Sequence, residues 1–363
     1  MTRRNFYLLI LISAAAVFIA LVSCIILTCA GKENPAEEAE EYLETEEQIE
    51  TAEEEIIPEQ EEIKEAVQSA AAPAQVSYTV SRPLSGLSGR IQGRGVNIQE
   101  IDPVNYDNPD PEILRQMGAE PYLISYFSGE RFYRDGNYDR AIIEYTSSIN
   151  RNGDFIDAFI SRASAYMKKR DYRRAVDDYT RSIRIDGSRA ELYNYRGFAR
   201  AELAARGSAG EMSSAIEDFS RAISINRNYV DALINRSRAY YRTGSYDRAI
   251  EDCDRIIRLE PSNYAIWNRR GSAWYAKEDD DRAIRDFNEA IKLNANYAAA
   301  FYNRGNAWYN KRDLEKALSD LSRSIAIDPA HAAAYASRAK IHQLQGNSDL
   351  AETDLASARR LQR

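Results

Sequence analysis

The distribution of apolar and polar residues divides the chain into three parts. A nearly unbroken apolar run extends from Phe6 to Ala30 and is flanked by Arg3, Arg4 and Lys32. Residues 33–120 are rich in Glu, then in Pro, Ser and Gly, and their apolar residues are sparse. From residue 122 onward, the same mixture of apolar, small and charged positions returns about every 34 residues. The pattern predicts a membrane segment, a spacer and an α-helical repeat domain.

The apolar run is long enough to cross a membrane. Twenty-five helical residues extend roughly 37 Å, whereas the hydrocarbon core is about 30 Å thick. The basic flank at Arg3 and Arg4 favours a cytoplasmic N-terminus, with the rest of the chain on the other side. A buried soluble helix is disfavoured because the run has no polar face. We therefore predict that residues 1–32 attach the chain to a membrane.

The form of this attachment remains open between two alternatives. A cleaved secretory signal usually has a shorter apolar core, so an uncleaved signal-anchor is favoured. The second alternative is a bacterial lipoprotein signal, because the segments ending in Cys24 and Cys29 both resemble a lipobox. Apolar residues follow Cys24, and the bulky Thr28 precedes Cys29, so neither segment matches the pattern fully. Both alternatives place the bulk of the protein on the periplasmic side of a bacterial envelope.

Charge is concentrated in one segment. Residues 33–66 contain sixteen Glu and one Lys, whereas residues 122–363 contain 40 Lys or Arg and 34 Asp or Glu. Such an acidic stretch cannot bury enough apolar surface to offset the entropy lost on ordering, so we predict a solvated spacer at 33–66. Residues 67–120 are predicted to be a linker. Their GRIQGRG stretch at 89–95 lacks the flanking strand and helix of a phosphate-binding loop.

The repeated pattern defines seven units. Thirty-four residues separate WNRRGSAWY at 267–275 from FYNRGNAWY at 301–309, and further copies occur in both directions. The third unit is six residues longer around 204–210, which predicts a longer turn between its helices or, alternatively, a protruding contact loop. We number the units repeat 1 to repeat 7 and refer to the nth residue of a repeat as slot n. Their boundaries are 122–155, 156–189, 190–229, 230–263, 264–297, 298–331 and 332–363.

This pattern resembles the tetratricopeptide repeat, a helix–turn–helix unit of 34 residues. The small residue of slot 8 is Gly129, Ala163, Gly197, Ser237, Gly271, Gly305 or Ala339. The signature alanine of the second helix is Ala141, Ala175, Ala215, Ala249, Ala283, Ala317 or Ala351. The large residue after it is Tyr145, Tyr179, Phe219, Cys253, Phe287, Leu321 or Leu355. The family's late proline survives only as Pro261 and Pro329. The resemblance implies an all-α, right-handed superhelical solenoid in which small residues let the helices approach closely and neighbouring repeats complete each core.

The arginines before the small slot depart from the family pattern, which usually has an apolar residue there. An acid always lies eighteen residues earlier, in the preceding repeat. We predict a ladder of inter-repeat ion pairs that sets the stacking register. The predicted pairs are Glu144–Arg162, Asp178–Arg196, Asp218–Arg236, Asp252–Arg270, Asp286–Arg304 and Asp320–Arg338. A ligand-binding role for these arginines is the alternative.

In the family, the first helix of each repeat lines a concave groove. The residues that match the groove slots are Tyr126, Tyr133, Asn194, Arg238, Tyr241, Arg242, Asn268, Tyr275, Tyr302, Asn306, Tyr309 and Asn310. Tyr and Arg are common anchors of interfaces, and Asn can pair with an extended peptide backbone. The alternative is a solvated helix face. The charged clamp with which some relatives hold a C-terminal carboxylate needs Lys and Asn in three successive repeats, and no three repeats here supply it.

Little in the sequence points to catalysis. His331 and His342 are the only histidines, and the lone Cys253 of the repeats occupies a core slot, so we expect no cofactor and no metal. Nucleic acid is disfavoured by the predicted compartment. We predict a non-catalytic protein–protein interaction scaffold that binds peptide segments or partner proteins of unknown identity and is attached to a membrane by its N-terminal segment. The alternatives are an envelope protein that binds a small ligand or lipid, or a self-assembling structural component. Leu350, Leu355 and Leu361 of the last helix are predicted to face inward, with Glu352, Asp354, Arg359, Arg360 and Gln362 as a polar cap.

Overall fold

A computed structural model describes residues 109–116 and 118–362, which form α-helices joined by short turns, with no β-strand among them. A short helix, α1 (Pro111–Gln116), precedes seven helix pairs. The pairs are α2 (Pro121–Arg134) and α3 (Tyr138–Arg151), α4 (Ile156–Lys168) and α5 (Tyr172–Ile185), α6 (Ala190–Ala204) and α7 (Glu211–Ile225), α8 (Val230–Arg242) and α9 (Tyr246–Leu259), α10 (Tyr264–Ala276) and α11 (Asp280–Leu293), α12 (Ala298–Asn310) and α13 (Leu314–Ile327), and α14 (Ala332–Leu344) and α15 (Ser348–Leu361). This all-α architecture of consecutive helical repeats is the predicted one.

The predicted membrane segment 1–32, with Cys24 and Cys29, and the predicted spacer 33–66 lie outside the described residues. So does the predicted linker as far as residue 108. The end of the linker was predicted to lack regular structure, but helix α1 forms there. Its Leu114 is buried, with 1% of its surface exposed. Leu114 packs in one cluster with Leu123 and Tyr126 of α2. Within the part of the chain that the structure describes, no helix is long and apolar enough to cross a membrane.

The turns between paired helices follow one scheme. Each second helix of repeats 1, 2, 5 and 6 begins after an Asn or Asp whose side chain accepts a hydrogen bond from a backbone N–H of the first turn; these caps are Asn137, Asp171, Asp279 and Asp313. The cap satisfies a donor that the helix itself leaves unpaired. The residue before it has a positive φ, as in Gly136 (75°) and Glu278 (63°). The sharp turn brings the two helices of a repeat together.

Close approach of paired helices depends on the small slot. A Cβ added to Gly271 would lie 2.6 Å from the Phe287 ring and 3.2 Å from the carbonyl oxygen of Ala283. Real Cβ atoms do not approach other atoms that closely, so the glycine lets the ring pack directly on the backbone of α10. Phe287 is fully buried. The structure therefore confirms that the small slot faces the signature alanine and the large residue after it.

The insertion of repeat 3 is a turn between its helices. Helix α6 ends at Ala204, and α7 begins at Glu211 after two glycines with positive φ, Gly207 and Gly210. The Arg206 guanidinium lies 4.3 Å from the centre of the Tyr172 ring and donates to the Tyr172 hydroxyl at 3.2 Å. The inserted turn therefore packs back onto repeat 2.

The last helix differs from the prediction. Leu350 and Leu361 are 53% and 36% exposed, whereas Asp354 is 4% exposed. Asp354 turns inward because Arg338 donates to both of its carboxylate oxygens at 2.7 Å, which compensates the buried charge. Leu355 is half-buried, and Glu352, Arg359, Arg360 and Gln362 are exposed as expected. The predicted inward positions of Leu350 and Leu361, and the outward position of Asp354, are wrong.

Candidate partner-binding groove

The predicted groove residues lie on the first helices of the repeats, which we call the first-helix face. These helices touch their neighbours, as α6 touches α8 and α10 touches α12. The side chains separate into a buried and an accessible group. Buried are Tyr126, Asn194, Asn268, Tyr302 and Asn306; half-buried or exposed are Tyr133, Arg238, Tyr241, Arg242, Tyr275, Tyr309 and Asn310. Only the accessible group offers contacts to a ligand.

The buried asparagines pair with one another between repeats. Asn235 Nδ2 donates to Asn194 Oδ1 at 3.0 Å, and Asn303 Nδ2 donates to Asn268 Oδ1 at 3.0 Å. Each bond joins slot 5 of one repeat to slot 6 of the next. An unpaired buried amide would cost free energy, so each pair favours the observed stacking. Asn194 and Asn268 thus hold neighbouring first helices together.

The last residue of a repeat packs against the buried residues of the first-helix face. Phe155 packs edge-on against Tyr126 at a centroid distance of 5.1 Å, and His331 packs against Tyr302 at 4.7 Å. In repeat 3 the same position is Tyr229, whose hydroxyl accepts a hydrogen bond from Asn194 at 3.4 Å. The last residue of a repeat therefore packs against Tyr126, Tyr302 or Asn194 of the predicted groove. These buried residues form a rigid base for the accessible residues.

Three accessible tyrosines recur at slot 12 of consecutive repeats: Tyr241, Tyr275 and Tyr309. Burial raises the pKa of Tyr241 and of Tyr275 to about 12 each, so both hydroxyls stay protonated donors at neutral pH. Tyr275 also interacts with the Asn310 side chain, which in turn donates to Asp280 at 3.3 Å. The three rings form a partly exposed aromatic row.

Asn306 lies beside this row and has an unused donor. The Tyr302 hydroxyl interacts with the side chains of Ser337 and Asn306, whereas Asn306 Nδ2 has no hydrogen-bond partner. A buried amide nitrogen without an acceptor costs free energy until some other group supplies one. This nitrogen is fully buried, so in this conformation it is an internal unpaired donor that no ligand reaches.

The predicted ion-pair ladder exists with different partners. Each arginine donates through Nε and one Nη to the two oxygens of an aspartate in its own repeat, at 2.6–2.9 Å. The observed pairs are Arg162–Asp178, Arg196–Asp218, Arg236–Asp252, Arg270–Asp286, Arg304–Asp320 and Arg338–Asp354. The inter-repeat pairing is therefore wrong, and Glu144 has Ser128 instead of an arginine at the matching place in its repeat. The physical reason is that the carboxylate faces the first helix of its own hairpin.

The remaining Nη1 of each arginine still joins two repeats. It donates at 2.6–3.2 Å to the second helix of the preceding repeat. The acceptors are Thr146, Thr180, Ser220, Asp254, Asn288 and Ser322. For Arg270, burial lowers the pKa, but the hydrogen bonds and the negative charges of Asp286 and Asp254 together raise it by more, so the guanidinium stays charged. These arginines have structural partners on both sides.

One charged residue of the first-helix face was absent from the prediction. Arg269 occupies slot 6, where the other repeats carry Phe127, Ser161, Tyr195, Asn235, Asn303 and Ser337. Its Nε is buried and has no hydrogen-bond partner. The sequence could have indicated this residue, because two arginines precede Gly271 and only Arg270 is needed for the ion-pair ladder. In the described residues, no group of three or more His, Cys, Asp and Glu is arranged to hold a metal ion.

Comparisons with known proteins agree with the repeat geometry. Family models described as tetratricopeptide repeat match residues 156–189, 205–264, 234–297 and 298–331. A tetratricopeptide repeat protein from Parabacteroides merdae superposes with a TM-score of 0.56 at 17% identity, over 66% of this chain and 93% of that chain. The C-terminal part of a tetratricopeptide repeat protein from Cytophaga hutchinsonii gives 0.52 at 16% identity, over 63% and 93%.

At these identities the structural likeness concerns the fold alone. No curated protein sequence matches the chain at a significant level. The family matches and the seven helix pairs together show that the chain is a tetratricopeptide repeat protein. Solenoids of this family are typically non-catalytic scaffolds for protein–protein interaction.

Proposed function

We propose that the protein is a non-catalytic scaffold that binds an extended segment of a partner protein along the first helices of repeats 4 to 6, outside the cytoplasm. The observation that carries the proposal is the aromatic row of Tyr241, Tyr275 and Tyr309. Its members recur at 34-residue spacing on the first helices of three consecutive repeats. Tyrosines on a rigid base are typical interface anchors, because they bury a large apolar area and lose little entropy.

The spacing of the row suits an extended ligand. Stacked helices of neighbouring repeats lie about 8–10 Å apart, a distance that an extended chain covers in about three residues. A segment that crosses α8, α10 and α12 would therefore place side chains between the rings. Its backbone carbonyls would meet the tyrosine hydroxyls. The location outside the cytoplasm rests only on the basic flank of the apolar run at 6–30.

The test is a crosslinking pull-down from membranes with the full chain. The variant Tyr241→Ala/Tyr275→Ala/Tyr309→Ala should lose the captured partners. A matched control replaces three other exposed apolar residues at the same 34-residue spacing by alanine, namely Ile225, Leu259 and Leu293, which are 37–42% exposed. The control should retain the partners. Equal capture by both variants would exclude the aromatic row as the binding surface.

The last repeat favours self-assembly as a second candidate function. Leu344 and Leu350 are 56% and 53% exposed, and Leu361 is 36% exposed. Leu350 stands where repeats 1, 2, 4, 5 and 6 carry Arg or Lys. Exposed leucines that lie near one another are candidates for a contact with another chain. Sedimentation of the full chain in detergent should show a concentration-dependent oligomer that Leu344→Ser/Leu350→Ser abolishes. A monomer at all concentrations would exclude this candidate.

A further inference from the structure

The most exposed large apolar side chains of the described residues lie at the two ends of the solenoid. Ile113 of α1 and Ile143 of α3 are 46% and 64% exposed, and Leu344 and Leu350 of repeat 7 are 56% and 53% exposed. The other exposed large apolar side chains in this part of the chain reach at most 42%. Exposed apolar groups that stand out in this way mark contacts with other molecules. Their position in the first and last repeats indicates a contact that uses both ends.

Repeat 1 differs from the other repeats around Ile143. This residue occupies slot 22, which is polar in repeats 2 to 7: Asp177, Glu217, Glu251, Arg285, Ser319 and Thr353. Ser147 lies one turn further along α3, and its hydroxyl shares a hydrogen bond with the Ser125 hydroxyl at 3.2 Å. Ser125 occupies slot 4, where every other repeat has a large side chain. Small neighbours therefore leave Ile143 accessible, and we call Ile143, Ser125 and Ser147 the α3 patch.

Basic side chains lie at both ends of the α3 patch. Arg140 lies one turn before it and Arg151 one turn after it, and both are exposed. Neither arginine has an acid partner among the residues that the structure describes. Of the acids on the same helix, Asp139 is already paired with a lysine of repeat 2, and Glu144 is half-buried. The α3 patch therefore lies in a surface with an excess of positive charge.

The C-terminal end of the solenoid has the opposite charge. Leu344 and Leu350 flank the turn between α14 and α15. Asp349 and Glu352 are exposed near the start of α15, and neither forms a salt bridge within the described part of the chain. Residues 341–358 contain no Lys and no Arg. We call Leu344, Leu350, Asp349 and Glu352 the C-terminal patch, an apolar surface with an excess of negative charge.

We propose that the C-terminal patch of one copy binds the α3 patch of a second copy and joins the chains head to tail. The inference rests on the second candidate function, self-assembly, and assigns the two surfaces that it would use. The leucines would bury apolar area against Ile143, while the acids of one copy face Arg140 and Arg151 of the other. Opposite charges favour this pairing, whereas two C-terminal patches would bring acids together.

The head-to-tail contact determines the form of the assembly. Its two surfaces differ, so each chain keeps one free surface of each kind after it has bound one neighbour. A heterologous contact of this type continues from chain to chain unless the rotation closes a ring. A pair of identical C-terminal patches would instead be isologous and would stop at a dimer. The number of chains in the assembly therefore separates the two arrangements.

Two variants each disable one patch and copy a residue that another repeat carries at the same slot. Ile143→Glu copies Glu217 of repeat 3, and Leu350→Arg copies Arg248 of repeat 4. Both variants should therefore fold like the wild-type chain, which circular dichroism checks. The matched control is Leu293→Arg, at a leucine of repeat 5 that is 40% exposed.

The experiment is analytical ultracentrifugation of the full chain in detergent. The wild-type chain and Leu293→Arg should form assemblies larger than a dimer, with a mass that rises with concentration. Each patch variant alone should need an at least about tenfold higher concentration to associate. An equimolar mixture of Ile143→Glu and Leu350→Arg should form dimers that grow no further, because each such pair has one intact contact and no second one.

The other outcomes separate the contact from self-assembly as a whole. A wild-type chain that is monomeric at every concentration would overturn self-assembly and, with it, the head-to-tail contact. Association that stops at a dimer, or that Ile143→Glu leaves unchanged, would overturn the head-to-tail contact alone. So would a mixture of the two variants that stays monomeric, or an equal loss of association in Leu293→Arg.

Discussion

Arg270 donates two parallel hydrogen bonds to Asp286, at 2.8 and 2.6 Å, across the two helices of repeat 5. Asp286 is 5% exposed, so its charge depends on this one guanidinium. The same pair of parallel arginine–aspartate hydrogen bonds, here called the fork, occurs in repeats 2 to 7. Each arginine also makes a third contact, to the preceding repeat. The guanidinium therefore joins three helices.

We expect Arg270→Ala to destabilise the solenoid by about 3–5 kcal/mol, because it leaves a buried carboxylate without its counter-charge. The double variant Arg270→Met/Asp286→Leu should recover most of this loss, since it removes both charges. Chemical denaturation followed by circular dichroism measures both. The exposed pair Lys292–Glu289 is the control, and Lys292→Ala should cost less than about 1 kcal/mol. An equally small effect of Arg270→Ala would show that the fork is dispensable.

Gly271 and Gly305 should respond differently to alanine. Alanine favours helix by about 1 kcal/mol, but a Cβ on Gly271 would lie 2.6 Å from the buried Phe287 ring. Overpacking of this kind costs about 1–3 kcal/mol, so Gly271→Ala should lower the thermal midpoint. At Gly305 the nearest atom is Leu321 Cγ at 3.1 Å, and a leucine can adjust more easily than a ring. Gly305→Ala should therefore be better tolerated. A larger loss at Gly305 would contradict the packing argument.

Glu278 adopts a left-handed backbone, with φ of 63°, at a turn where repeat 4 has Gly244. The left-handed conformation costs an ordinary residue about 1–2 kcal/mol. We expect Glu278→Gly to raise the thermal midpoint, whereas Glu278→Ala should change it little because alanine keeps the strain. The reciprocal variant Gly244→Ala should lower it. If Glu278→Gly is destabilising, the entropy that glycine adds to the unfolded chain outweighs the relieved strain.

The sequence predicted the helices and the core of this fold because one unit repeats seven times. Its prediction of ladder partners failed because arginine and acid recur with the same period. Asp252, for example, is eighteen residues before Arg270 and sixteen residues after Arg236. The constant separation of eighteen favoured the wrong partner. The insertion of repeat 3 changes the within-repeat separation to 22, as in Arg196–Asp218, but the longer turn leaves the helix contact intact.

The first-helix face was predicted in part, for a related reason. Slot rules located Tyr241, Tyr275 and Tyr309 on accessible positions, because exposure follows helical periodicity. They could not show that the side chains of Asn194 and Asn268 are hydrogen-bonded to the next repeat. That bond depends on which residue occupies slot 6 of the next repeat. The unpartnered Nε of Arg269 depends in the same way on the absence of an acid among its neighbours in space.

We expect His331 to make the last repeats sensitive to acid. Burial lowers its pKa below the ordinary 6.5, while Asp328 opposes the shift only in part. Its ring packs against Tyr302 at 4.7 Å, and its Nδ1 lies 3.0 Å from Ser324 Oγ.

Because the unfolded chain binds the proton more readily, the stabilisation is complete above pH 6.5 and is lost as the pH falls through the lowered pKa. The hydrogen-exchange protection factors of α14, which are corrected for the slower intrinsic exchange in acid, should therefore fall between about pH 7 and pH 5 more than those of α8. His331→Asn, which copies Asn263 of repeat 4, should remove this difference. Equal acid sensitivity of the variant and the wild-type chain would assign the effect to other groups.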